Sequence, residues 1–145
     1  MMLMALIWLV AAQSPSTPPP AAPPMTPGTY RFETSERRGN RPLCAESWTL
    51  RADGTMTVLS GEEVVEKRWR LVHDRDGDWL VQAAVSTNGR PDCMGNAVTA
   101  PATVEVRNYL VRFNDGVIQV CPPPAHAADG APIVAGCYAT LRRQP

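Results

Sequence analysis

The chain has 145 residues, and its 14 Lys and Arg balance 14 Asp and Glu to a formal net charge of zero, all charges lying from Arg31 onward. That balance excludes the basic surplus on which nucleic-acid binding depends, and the length supports one modest core rather than two. An even set of 4 cysteines, none in a Cys-x-x-Cys pair, beside only 2 histidines, favours a disulfide framework over structural zinc.

The amino-terminal run from Leu3 to Val10 is apolar, and Val10, Ala11 and Ala12 supply the small residues of a signal-peptidase site. A signal peptide over residues 1–12, cut between Ala12 and Gln13, is therefore predicted. Because no Lys or Arg precedes Arg31, an uncleaved anchor or a misplaced start remains an alternative. The run is shorter than the ~20 apolar residues a membrane-spanning helix needs. No cysteine occurs before Cys44 to carry a lipid at the cleavage point. From Ser14 to Pro27 the composition is dominated by Pro, Ala, Ser and Thr, which predicts an extended spacer over residues 13–27 leading into a domain over 28–145.

Within the domain short β-rich runs alternate with turn dipeptides, and no segment sustains helical periodicity. Eight strands are predicted, at Thr29–Ser35, Cys44–Arg51, Thr55–Leu59, Val64–His73, Asp78–Ser86, Thr103–Phe113, Val117–Cys121 and Gly136–Arg142. Asp53-Gly54, Asp76-Gly77 and Asp115-Gly116 are the pairings that tight hairpins prefer. If consecutive strands pair, these three hairpins share one end. The loops Glu36–Leu43, Ser60–Glu63, Thr87–Ala102 and Pro122–Ala135, with Cys44, Cys93, Cys121 and Cys137, then share the other. Cys121 and Cys137 face each other across the mouth of the last two strands, which leaves Cys44 for Cys93. Asn40-Arg41-Pro42-Leu43-Cys44 also echoes Gly89-Arg90-Pro91-Asp92-Cys93, both reading Arg-Pro-x-Cys.

Alternation places Tyr30, Phe32, Thr34, Trp48, Leu50, Met56, Val58, Val65, Trp69, Leu71, Trp79, Val81 and Val85 inward. In the sixth strand the apolar phase moves from Val104 and Val106 to Tyr109, Val111 and Phe113, which predicts a bulge near Arg107 and Asn108. Glu46 and Lys67 fall in the inward phase near the loop end. Such charges need an ion pair with each other, an outlet to water, or a ligand.

The fold class predicted is all-β, a compact antiparallel up-and-down eight-stranded barrel stapled by disulfides, with a β-sandwich as the alternative. Gly28-Thr29-Tyr30 opening the first strand and Arg142 closing the last resemble the lipocalin pattern, in which a Gly-x-Trp motif opens the barrel and a late arginine covers the ring. The resemblance implies topology and leaves any ligand open.

No catalytic constellation is expected. His73 and His126 are read as a barrel-length apart, which leaves no nucleophile–base pair. The segment Asp74-Arg75-Asp76-Gly77-Asp78 lacks the glycine position and closing Glu of a calcium loop, so neither a metal nor a cofactor is predicted. The function predicted is an exported recognition module, periplasmic or secreted from a bacterium, which binds another exported protein through stapled loops and acts as an inhibitor of an exported hydrolase. Arg41, Arg90, Met94, Asn96 and His126 are its contact candidates. The alternatives are a carrier of a small polar ligand oriented by Glu46 and Lys67, or a structural envelope protein. Three inward tryptophans suggest a filled interior, and a cavity above ~300 Å³ would favour the carrier.

Overall fold

A computed structural model describes residues 22–145. The signal-peptide prediction and most of the spacer lie outside the described residues. Among the described residues there is no helix, and the strands are β1 (Gly28–Thr34), β2 (Arg37–Arg38), β3 (Arg41–Pro42), β4 (Ala45–Leu50), β5 (Thr55–Ser60), β6 (Glu63–Asp74), β7 (Gly77–Thr87), β8 (Val106–Arg112), β9 (Ile118–Cys121), β10 (Ala125–His126), β11 (Pro132–Ile133) and β12 (Ala139–Arg143).

Eight of these strands close a barrel in the order β1-β12-β9-β8-β7-β6-β5-β4, all antiparallel. Closure comes from β1, which pairs with β4 on one side and with β12 on the other, so no edge is left to template aggregation. The predicted strands all form, with the sixth beginning at Val106 and the eighth at Ala139. β2–β3 and β10–β11 are small hairpins outside the barrel. The three Asp-Gly bends are present, with Gly54, Gly77 and Gly116 all at positive φ.

The end of the barrel carrying those bends is tightly packed. Tyr30, Leu50, Met56, Leu80, Leu110, Ile118 and Leu141 are buried in one continuous core. Met25, only 2% exposed, joins that core from the segment expected to be spacer. Thr26 anchors it, through backbone bonds to and from the Tyr30 hydroxyl. The Pro/Ala composition there concealed one large apolar side chain, and it is that side chain which caps the barrel. The arginine over the Tyr30 ring is Arg143, at 5.9 Å, rather than Arg142, which lies opposite Arg31 in the β1–β12 register.

Register corrects the expected inward set on β7. Leu80 lies opposite Leu71, and Leu80, Gln82 and Ala84 face the interior together with Lys67, Trp69 and Leu71 of β6. Trp79 and Val81 instead join Tyr109 and Cys121 in a second apolar cluster on the outer wall, with Val72, Val111 and Cys137 packed against it. The phase slip falls between Glu66 and Lys67, where Val85 is the extra residue on β7 and is 58% exposed. The bulge expected at Arg107 and Asn108 is absent, because β8 pairs regularly with both neighbours.

Both predicted disulfides are formed, Cys44–Cys93 and Cys121–Cys137. They do not both staple one rim. Cys44–Cys93 sits at the open end, whereas Cys121–Cys137 lies against the outer-wall cluster. Residues 122–137 run along that wall far enough for His126 Nε2 to reach Asp76 Oδ1 in the β6–β7 hairpin, at 3.0 Å. His73 Nδ1 meets Asp78 Oδ1 in the same hairpin at 2.8 Å, so the two histidines are not a barrel-length apart. Each is held by its own carboxylate.

Candidate functional site

The interior changes character toward the open end. Leu71, Leu80 and Leu110 fill it near the Asp-Gly bends, and Lys67, Gln82 and Asn108 succeed them farther along the same three strands. The upper tier bounds a cavity of about 550 Å³ walled by Phe32, Trp48, Val65, Ala84 and Val106 and roofed by Val98, Pro101, Ala102 and Val104. Glu63, Thr87 and Tyr138 complete its lining. The expectation of a filled barrel therefore fails in this half. Its cause is in the tryptophans: Trp79 points outward, and Trp69 spends its indole N–H on the Arg51 and Thr55 carbonyls at the tight end. Among the described tryptophans only Trp48, stacked on Phe32 at 4.8 Å, remains beside the cavity.

The polar groups here are sparse and placed by register. Lys67 lies opposite Ala84, and Gln82, two residues along β7, lies opposite Val106. Lys67 Nζ donates to Gln82 Oε1 at 3.2 Å and stands 6.0 Å from the Trp48 ring. Burial pulls the Lys67 ammonium below the ordinary lysine value, and the Glu46 and Glu63 carboxylates oppose that shift. Asn108 accepts a hydrogen bond from the Tyr138 hydroxyl, whose own pKa burial pushes up.

Glu46 and Lys67 do not form the ion pair considered above. Glu46 Oε2 accepts the Trp48 indole N–H at 2.6 Å, and its other oxygen faces the Cys44–Cys93 sulfurs at 3.6 and 3.8 Å. Glu46 is thus committed to Trp48 and lies outside the cavity lining, and Glu63 is the carboxylate that lines the cavity. Cys44, Glu46 and Cys93 gather three potential ligand atoms. With both sulfurs joined, they offer no thiolate to a metal.

The roof is tied down from below. Glu62 N–H bonds the Pro91 carbonyl, Ser60 Oγ accepts the Cys93 N–H, and Asn88 Oδ1 accepts the Val64 N–H. Gly61, at φ +59°, lets this segment approach, since a Cβ there would stand 2.7 Å from the Asp92 carbonyl carbon. Asp92 in turn accepts the Met94 and Asn96 backbone N–H groups, so the loop carries its own framework.

The loop candidates separate into two groups. Arg41 and Met94 line a shallow cavity of about 280 Å³ with Arg38, Pro42, Leu43 and Cys93. Arg90 lies near Glu62 at 3.6 Å, and Asn96 is engaged with Asp92. His126 stands apart from all of them, on the outer wall at the β6–β7 hairpin. Sequence reasoning missed Gln82 and Asn108, whose polar character in an otherwise apolar inward phase was the available signal. No protein-family model, curated protein or solved structure matches the chain.

Proposed function

We propose that this chain is a lipocalin-like carrier of a small amphipathic molecule, held in the hollow half of its barrel. The observation that carries this reading is the cavity of about 550 Å³, apolar on most sides with a few converging polar groups. Its size lies within the range typical of small-molecule sites. The up-and-down closure and Arg143 over Tyr30 support the lipocalin likeness. Two disulfides fit an oxidising compartment, which with the apolar leader suits a periplasmic or secreted protein.

The test is titration of the full domain with the neutral dye Nile red. Saturable one-to-one fluorescence enhancement, with quenching of Trp48 emission, is the expected outcome. Weak, unsaturable enhancement would reject the carrier reading. A second reading, recognition of another exported protein, draws on the stapled surface around Arg38, Arg41 and Met94. It predicts stable capture of one exported protein that survives occupation of the cavity and is lost on Arg41→Glu.

A further inference from the structure

Gln82 and Asn108 are buried as residues, at 7% and 5% exposure, yet each has an amide nitrogen that the barrel leaves without an acceptor and open to the cavity rather than sealed in protein. Gln82 Oε1 must be the atom facing Lys67, because an ammonium only donates, so Gln82 Nε2 is turned away with two hydrogens to give. Asn108 Oδ1 takes the Tyr138 hydroxyl, which leaves its Nδ2 in the same position. Among the described residues neither amide nitrogen has a hydrogen-bond acceptor, and both side chains line the cavity. Lys67 has one acceptor there for its three N–H groups. Register sets the three side chains on one diagonal across β6, β7 and β8. Such a row is rich in donors and poor in acceptors.

Resting on the carrier reading, we propose that the cavity selects an apolar monocarboxylate, whose carboxylate is received by Lys67, Gln82 and Asn108 while its apolar body lies under Val98, Val104 and Val106. A carboxylate is an acceptor with two oxygens and about four lone-pair sites, enough for all three donors at once. Its charge also answers an ammonium that is desolvated and has no carboxylate within contact distance. Two carboxylates oppose this sign, and neither displaces the argument. Glu46 is turned to the Trp48 indole and lies outside the lining, and Glu63 already accepts the Thr87 hydroxyl. A polar uncharged head would leave Lys67 with Gln82 Oε1 as its one contact and only the more distant Glu46 and Glu63 charges to answer it.

The probes are decanoate, decanol and decylamine, each displacing Nile red from the native full domain at neutral pH. Decanoate is expected to displace the dye at about tenfold lower concentration than decanol, the worth of a charge-assisted hydrogen bond. Lys67→Met should abolish that preference and keep decanol binding. Equal potency of decanol and decanoate overturns the carboxylate site while Nile red binding upholds the carrier. Decylamine as the strongest competitor overturns it in favour of Glu63. Failure of Nile red itself to bind overturns both readings. Should Lys67→Met not fold, Asn108→Leu and the native decanoate-to-decanol ratio still decide the matter; an unchanged ratio in a folded variant overturns the proposal.

Discussion

Near the Asp-Gly bends the interior holds Leu71, Leu80 and Leu110, whereas farther along the same three strands it holds Lys67, Gln82 and Asn108 around a cavity of about 550 Å³. One backbone thus carries two interiors, a packed half capped by Met25 and a hollow half roofed by Val98, Pro101, Ala102 and Val104. The packed half carries what large apolar burial contributes to stability. Because it does so, the other half can leave space unfilled and amide hydrogens unpaired. The two disulfides divide the same way: Cys44–Cys93 ties the cover of the hollow half, and Cys121–Cys137 ties the strap that covers the outer-wall cluster.

Removing the disulfides one at a time tests that division with the largest expected effect. Cys44–Cys93 closes 49 residues and Cys121–Cys137 closes 16. On chain-entropy grounds their loss costs about 4 and about 3 kcal/mol respectively. Urea unfolding of the paired Cys→Ala variants measures both. Only Cys44→Ala/Cys93→Ala should also speed Nile red dissociation, because of the two disulfides only that one ties the loop that carries the roof. If both variants release the dye at the native rate, the roof does not depend on its staple.

Within the packed half, Leu141→Ala deletes a side chain that is fully buried among Phe32, Ile118 and the core around them. A loss of about 3 kcal/mol is expected from lost transfer energy plus the residual cavity. Nile red affinity should stay at the native value under conditions where the variant is folded. A variant that lost affinity and stability together would show that the two halves are coupled.

Where one face of a strand is wet, the sequence was sufficient. β1, β4 and β5 alternate cleanly, and Tyr30, Phe32, Trp48, Leu50, Met56 and Val58 all point as the pattern requires. Alternation failed on β7 and β8 because Trp79, Val81 and Tyr109 are buried on the outer face as well, packed against Cys121–Cys137 with Arg107 over the Trp79 ring, which makes both faces apolar. In Trp79-Leu80-Val81 every position is buried, so periodicity carries no phase there. The wrong phase also hid the cavity, since it turned Trp79 inward and passed over Gln82. Lys67 was legible as an inward charge, but its partner was not: Gln82 comes to it through the β6–β7 register set from the Asp76-Gly77 hairpin, which pairs Lys67 with Ala84 and which no local pattern of β6 encodes. The short path of the 122–137 segment down the wall rests on His126 meeting Asp76, a contact between residues far apart in the chain.

A matched pair of enlargements separates filled from hollow interior with the smallest effect and the clearest sign. Ala139 is fully buried where β12 packs into the core opposite Thr34 and Val120, and Ala84 lines the cavity. Ala139→Leu must push neighbours off their rotamers, so it should cost about 1–3 kcal/mol. Ala84→Leu enters space that already exists, so it should leave stability unchanged or raise it by about 1 kcal/mol as added methyl groups lose water. Its price is paid by the ligand: the same side chain occupies the space between Lys67 and Val106, and Nile red affinity should fall by about tenfold or more, equivalent to 1.4 kcal/mol of lost contact. Dye affinity therefore falls at position 84 without a fall in melting temperature, whereas at 139 it is the melting temperature that falls. An Ala84→Leu variant destabilised as much as Ala139→Leu would mean that the space beside Ala84 is packed like the core around Ala139, and the contrast between filled and hollow interior would be lost.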